Sequence, residues 1–428
     1  MAPYTCRSRL VLGLFLGMFV LSPLNAARAQ TLSDGMAALE AKHRKHRLLI
    51  RGLFNGEPKA DPNDPQHIEA IDMAARLDTY SVYLDHLETR QEKKPTHTME
   101  RAFNDFEKNV ESITKAKNRE QMQPLAVIYR EKVRLHALEV IEYEKAKPIH
   151  KLYNARILAK VAELGEGKLS ETLIKVLKDD KQNDAIRYYI LRGLRNLLAQ
   201  VQPQQTPPLL TKEEEAKCAE AIIEFLERKP DLPKGVLQEE IDGFRVLRRE
   251  GVRALAQIHT PALNDKVQPA LVLARFTGED ERIQPPPRID ERLEAAMGLA
   301  RMSSAQDKTY QADYAANAIG TFLATFGAAA NGDKEKATER LRPWKIDAVH
   351  MREALAVLKA NSEKNMYVDQ VIAHGNSVLQ AVIKGDDAKP DDLTWFINPE
   401  NVAPSKELFK GMADSTIKPA KSAEATEK

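Results

Sequence analysis

The amino-acid sequence predicts an all-α protein, and three observations support this fold class. Apolar residues recur at intervals of three and four positions along most of the 428-residue chain, which gathers them on one face of a helix. The sequence lacks convincing runs of β-branched and aromatic residues in strict alternation, which half-buried strands require. Charged residues make up 29% of the chain and aromatic residues 6%, as expected for helices that each keep a solvated face.

Residues 1–29 have the three parts of a secretory signal peptide. Arg7 and Arg9 precede an apolar run at 10–21, and the A-R-A sequence at 27–29 supplies the small residues of a cleavage site. The apolar run is too short to span a bilayer, which needs roughly 20 residues. We therefore expect export to the periplasm or the medium after cleavage, with an uncleaved membrane anchor as the alternative.

Cleavage would leave a nearly neutral chain. The whole sequence has 64 basic and 62 acidic residues, and the signal peptide removes three arginines, so 61 basic residues would face 62 acidic ones. A net charge of this size gives no reason to expect a nucleic-acid partner. Cys218 would be the one remaining cysteine, and its apolar helical surroundings predict a buried, inert thiol without a disulfide.

Residues 30–147 are predicted to form an N-terminal bundle or hairpin of long helices, starting with a helix at about 33–54. The apolar residues of three further segments alternate between spacings of three and four, a 3.5-residue period typical of helices packed nearly side by side. Short connections predict an up-down-up order. The three sets are Met73, Leu77, Tyr80, Leu84 and Leu87; Met99, Phe103, Phe106, Val110 and Ile113; and Met122, Ala126, Tyr129, Val133, His136, Val140 and Tyr143.

From residue 148 to residue 385 the predicted helices are shorter and their apolar stripes are wider. Thr211 and Glu214 have the spacing of a capping box, which predicts a helix start. Residues 386–428 are predicted to form a C-terminal cap, packed through Trp395 and Phe396, and a disordered tail from about Ala413. The other predicted helices lie at 153–165, 169–178, 184–201 and 238–258, with further stripes at 289–300, 315–326 and 368–382, and proline-rich segments lie at 202–208, 229–235 and 283–288.

Three segments of this region resemble the HEAT-repeat consensus, in which a first helix reads roughly V-R-x-x-A-x-x-A-L-G before a turn and a second helix. They lie at 154–180, 185–198 and 251–274, with a weaker fourth at 291–302. The matching residues are Arg156, Ala159, Ala162, Leu164 and Gly165; Ile186, Arg187, Leu191 and Leu194; and Val252, Arg253, Leu255 and Ala256. The resemblance implies an α-α solenoid of stacked helix pairs, irregular because the proline-rich loops lengthen two units.

Four arginines are the candidate partner-binding residues. They are placed along one face of the helix at 238–258, where they would dock an acidic peptide, a polysaccharide acid or lipid phosphates. The alternatives are a solvated face paired with nearby acids, or an intramolecular ladder of arginines and acids between stacked repeats. The four residues are Arg245, Arg248, Arg249 and Arg253.

His43 and His46 lie one helical turn apart, but the basic residues around them would repel a metal ion. The same basic stretch could contact an anionic membrane surface, although an ordinary first helix is favoured. His136 is predicted to be a hydrogen-bonded core residue. The four aspartates between residues 386 and 392 lack the ligand spacing of a calcium loop and are predicted to form a solvated turn.

No motif for a nucleophile or a phosphate cradle occurs in a convincing context, so the sequence predicts no catalytic residue, metal or cofactor. We expect an exported, non-enzymatic scaffold or adaptor that binds an unknown protein or peptide partner, by analogy with other helical-repeat proteins. One alternative is a helical-repeat enzyme whose site is assembled from distant residues, which would require a deep pocket with perturbed titratable groups. Another is an envelope protein that binds an anionic surface through its basic N-terminal helix.

Overall fold

The computed structural model describes residues 24–81, 99–166, 168–201, 209–229, 237–333, 341–362, 364–401 and 403–418. Within these ranges the chain forms fifteen α-helices and no β-strand, and Tyr310 and Phe409 form an isolated β-bridge. The predicted all-α fold is therefore confirmed. Most of the predicted signal peptide, Leu84, Leu87 and nearly all of the loops at 202–208 and 229–235 lie outside the described residues.

The helices follow one another as α1 Leu24–Asn55, α2 Pro65–Tyr80, α3 Met99–Thr114, α4 Arg119–Glu142, α5 Pro148–Val161, α6 Leu169–Lys178, α7 Asp184–Leu198, α8 Lys212–Glu227, α9 Gln238–Leu255, α10 Pro269–Thr277, α11 Ile289–Ala300, α12 Ala312–Gly332, α13 Leu341–Asn361, α14 Met366–Lys384 and α15 Pro390–Trp395. Helix α13 was not among the helices predicted from the sequence. The predicted bounds of α6 agree with the structure at both ends.

Local hydrogen bonds explain where several helices begin and end. Asp64 accepts a hydrogen bond from the backbone of Gln66 at the start of α2. The capping box predicted from Thr211 and Glu214 is present at the start of α8, with both of its hydrogen bonds formed. Helix α14 ends at Lys384 and is capped by Gly385, whose φ of 84° is a left-handed conformation that glycine adopts without strain.

In the N-terminal part, α2 packs mainly on α4, and α3 lies against α4 and α5. Aromatic rings fill the space between these helices. Phe54 meets Tyr129 edge to face at 5.1 Å between ring centroids, and Phe106 is fully buried beside Tyr129. This core positions α3 against the next part of the chain.

From α5 onward, alternate helices contact one another in two rows. The first row is α5, α7, α9, α11 and α13, and the second row is α6, α8, α10, α12 and α14. Contacts between the rows join α6 to α7, α8 to α9, α10 to α11 and α13 to α14. Each helix thereby covers the apolar stripe of its neighbours, and one hydrophobic core continues from α1 to the C-terminal segment.

The packed part of the C-terminal segment extends closer to the end of the chain than the sequence predicts. The backbone N–H of Ile417 donates to the hydroxyl of Tyr314 at 2.8 Å, and that of Lys418 donates to Asp280 Oδ2 at 2.8 Å. The expectation of disorder from Ala413 is therefore wrong for residues 413–418, because these hydrogen bonds hold the segment against α10 and α12. Residues 419–428 lie outside the described part of the chain.

Of the helices in the described ranges, none combines the length and the apolar character that crossing a bilayer requires. The thiol of Cys218 lies in the core as predicted, and burial raises its pKa well above the usual range for a thiol.

Candidate binding surface

Arg248 lies inside the protein. Its side chain is 1% exposed and sits between α9 and α11. Its Nε and Nη2 atoms donate to the two carboxylate oxygens of Glu291 at 2.6 and 3.0 Å, and Nη1 donates to the carbonyl oxygen of Pro285 at 2.8 Å. The predicted contact between Arg248 and a partner does not fit this position, because the guanidinium has almost no surface to offer.

Arg249 and Arg253 are also paired across the contact between α9 and α11. Arg249 donates to Asp290 at 3.2 Å and to Glu294 at 3.1 Å, and Arg253 donates through Nε to the same Glu294 oxygen at 2.6 Å. Arg245 donates to the carbonyl oxygen of Pro286 at 3.1 Å. The charges of these side chains are directed at acceptors of the same chain.

A buried carboxylate extends these pairs to α7. Glu250 is 2% exposed and lies 2.8 Å from Arg195 Nη1 and 3.7 Å from Arg253 Nη1. Burial raises the pKa of Glu250, although the nearby arginines lower it. We call the resulting set the arginine ladder, which joins α7, α9 and α11 and consists of Arg195, Arg245, Arg248, Arg249, Arg253, Glu250, Asp290, Glu291 and Glu294.

A small cleft lies beside the ladder, between α3, α5 and α7. Its volume is about 80 Å³, which is well below the range of roughly 300–1,000 Å³ that is usual for drug-sized ligands. A space of this size can take one side chain or a short stretch of backbone. The side chains that define this α3–α5–α7 cleft are Phe103, Glu107, Arg156, Lys160, Tyr189 and Arg192.

Two ion pairs hold part of the cleft wall in place. The guanidinium of Arg156 lies 3.5 Å from the centroid of the Phe103 ring and donates to both oxygens of Glu100, at 2.9 and 3.2 Å. This hydrogen bonding lowers the pKa of Glu100. Lys160 is paired with Glu163 at 2.9 Å.

Three other polar groups of the cleft are available to a ligand. Among the described residues, no hydrogen bond or ion pair engages the carboxylate of Glu107, the hydroxyl of Tyr189 or the guanidinium of Arg192. They offer an acceptor, a hydroxyl that can donate or accept, and a planar set of donors. The sequence did not single out these residues, because they lie on two helices about eighty positions apart.

A buried polar network that the sequence did not reveal surrounds Asp78. Its Oδ2 atom accepts hydrogen bonds from the hydroxyl of Tyr129 at 2.5 Å and from the amide of Asn109 at 3.1 Å. Burial raises the pKa of Asp78 to about 7, although both hydrogen bonds lower it. The three residues belong to three helices, so no local spacing identifies the network.

Two larger cavities lie elsewhere. One of about 480 Å³ is lined by residues such as Phe54, Ser112 and Met122, and one of about 330 Å³ lies on α13 around Ile346 and His350. Neither these cavities nor the α3–α5–α7 cleft is lined by Asp78 or Tyr129. Asp78, whose pKa is raised, therefore lines none of these three spaces.

His136 is 8% exposed and its Nε2 atom lies 2.9 Å from Asp72 Oδ1, which confirms the predicted hydrogen-bonded core histidine.

The solvated turn predicted at 386–392 is wrong for Asp392, which accepts from Ser377 Oγ at 2.5 Å and lies 2.8 Å from His374 Nδ1. Asp392 therefore fastens the short helix α15 to α14.

His43 and His46 are both half-buried on α1. In the part of the chain that the structure describes, no group of three or more histidine, cysteine, aspartate or glutamate residues is arranged to hold a metal ion.

No protein-family model matches the sequence, and no curated protein matches it either.

Proposed function

We propose that this chain is a non-enzymatic scaffold that anchors an extended segment of a protein partner in the α3–α5–α7 cleft. The observation that carries the proposal is the convergence of Glu107, Tyr189 and Arg192 on one small space, where none of the three has a hydrogen bond or ion pair within the described part of the chain. Tyrosine and arginine are among the side chains that contribute most to protein–protein affinity. Since the helices that carry them are packed into the core, little backbone conformational entropy is lost on binding.

The arginine ladder supports placing the partner in the cleft rather than along α9. Its cations already donate to carboxylates and carbonyl oxygens of neighbouring helices. A partner would have to displace these internal acceptors, and for Arg248 it would also have to open the contact between α9 and α11. Arg192, by contrast, is exposed and points into the cleft from the same row of helices.

The proposal includes the HEAT-like architecture of residues 148–385. Two rows of alternating helices, each covering its neighbours, are what stacked helix pairs would produce. The arginine ladder is also the kind of interaction expected between successive repeats. We propose in addition that the protein acts outside the cytoplasm, on the basis of the signal-like sequence at 1–29.

Selection from a phage-displayed library of random linear peptides tests the cleft. The full chain should enrich peptides whose affinity falls at least about tenfold in a Tyr189→Ala/Arg192→Glu double variant. The matched control is Arg352→Glu, which makes the same charge change at an exposed position of α13 in the same row. Far-UV circular dichroism establishes that both variants are folded.

Peptides that bind the double variant as tightly as the parent chain would contradict the proposed cleft. Failure to enrich any peptide would contradict the proposal as a whole. A loss of affinity in Arg352→Glu equal to that in the double variant would show that the net charge, and not the cleft, determines binding.

A further inference from the structure

The solvent face of α1 between residues 42 and 51 is basic, and it carries four unpaired cations. Lys42, Lys45, Arg47 and Arg51 are exposed, and among the described residues none of the four takes part in a hydrogen bond or an ion pair. At 1.5 Å per residue, they lie within about 14 Å of one another along the helix axis. Four free cations so close together form a concentrated positive surface.

Glu40 lies four positions before Arg44, but the segment between Glu40 and Glu57 has no acidic residue. None of the four cations therefore has an acid three or four positions away on α1, the spacing that usually offsets a lysine or arginine on a helix. Elsewhere on the protein, exposed cations such as Lys108 and Lys217 do have acidic partners on their own helix. The four cations of α1 differ from these two in having no such partner among the described residues.

Leu48 lies at the centre of the basic face. It is 85% exposed, the highest value among the large exposed hydrophobic residues of the described chain. At 100° per residue it points nearly opposite to Ile50, Leu53 and Phe54, which are buried against the body of the protein. These buried residues fix the rotation of α1 so that Leu48 and its flanking cations face solvent.

We propose that this face of α1 docks on an anionic phospholipid bilayer. Lipid phosphates would neutralise Lys42, Lys45, Arg47 and Arg51, and the boundary between head groups and acyl chains would accept Leu48. A nucleic acid or an acidic protein would satisfy the cations but gives no reason for a solvated leucine at their centre. Because α1 is anchored to α2 through its opposite side, docking would hold the whole protein at the membrane surface.

Vesicle binding by the full chain tests this inference. Vesicles that contain phosphatidylglycerol should bind more tightly than vesicles of pure phosphatidylcholine, and the difference should shrink as salt is raised. A Lys45→Glu/Arg47→Glu variant should lose at least about tenfold of the affinity for the anionic vesicles. The matched control is Lys406→Glu/Lys410→Glu, which changes the net charge equally at exposed C-terminal positions and should retain the affinity.

A Leu48→Trp variant tests insertion separately. Its emission, after subtraction of the parent spectrum, should shift to shorter wavelength on anionic vesicles and not on neutral ones. Equal binding to both kinds of vesicle, equal losses in the two charge-reversal variants, or an unshifted emission would overturn the inference. Binding to a DNA duplex without binding to anionic vesicles would also overturn it and would identify a different polyanion as the partner.

Discussion

The pair formed by Arg248 and Glu291 places two opposite charges out of contact with water, with side-chain exposures of 1% and 0%. Removing both groups from water costs free energy, and the pair is stable only because the guanidinium and the carboxylate satisfy each other through two hydrogen bonds. Pro285 accepts a further hydrogen bond from Arg248. A charge enclosed in this way links two helices and has no capacity left for a partner.

Asp78 should make stability depend on pH. Its folded-state pKa of about 7 lies above the usual value because burial disfavours the charged form, so its stabilising contribution is complete below about pH 4 and is lost as the pH rises through 7. An Asp78→Asn variant removes this titration. Its melting temperature relative to the parent should therefore increase by a few degrees between pH 5 and pH 8, as measured by circular dichroism.

Asp180→Asn is the matched control, since Asp180 is 78% exposed and is paired with the exposed Arg228. Its melting temperature relative to the parent should not change over the same pH range. A constant difference for Asp78→Asn would show that Asp78 is ionised in the folded protein throughout this range.

Two glycines of the first row distinguish helix propensity from helix packing. A Cβ atom at Gly298 of α11 would lie 2.5 Å from Ala256 Cβ, whereas a Cβ atom at Gly243 of α9 would meet nothing within 4 Å. Alanine is the better helix former at both positions. We expect Gly243→Ala to raise the free energy of unfolding by roughly 0.5–1 kcal/mol and Gly298→Ala to lower it, as measured by urea denaturation.

Equal stabilisation by the two alanine variants would mean that α11 has room to move away from Ala256. Such a result would contradict the close approach of these helices in the first row.

Most helices could be predicted from the sequence because apolar periodicity is a local property. The stripe at 169–178 and the capping box at Thr211 both correspond to the observed α6 and α8. Helix α13 was missed although its sequence carries the signal. Its buried residues have spacings of three and four positions, namely Ala348, Met351, Leu355 and Leu358.

The candidate site was harder to predict because it depends on contacts between distant segments. Arg248 and Glu291 are 43 positions apart, and the sequence gives both charges without showing that they meet. One local signal could have corrected the placement of Arg248. It precedes Leu255 by seven positions, a spacing that returns to the same helical face, so Arg248 belongs with the buried stripe and not opposite to it.

At the scale of the whole molecule, the two rows bring each helix into contact mainly with helices that are near it in the sequence. Helix α9 contacts α7 and α11 in its own row and α8 and α10 in the other, while α2 and α4 pack far along the chain from it. The loss of one interaction between helices should therefore destabilise mainly the adjacent helices, because each helix depends mainly on its immediate neighbours.

Hydrogen–deuterium exchange of an Arg248→Met variant, compared with Arg228→Met, tests most directly whether the arginine ladder holds neighbouring helices together. Breaking the buried pair costs about 3–5 kcal/mol, whereas the Arg228–Asp180 pair, with exposures of 60% and 78%, contributes at most about 1 kcal/mol. Arg248→Met should accelerate exchange in α9 and α11, less in α7 and α13, and not in α2 and α4, while Arg228→Met should leave all of them protected. Unchanged protection of α9 and α11, or a uniform loss along the chain, would contradict this prediction.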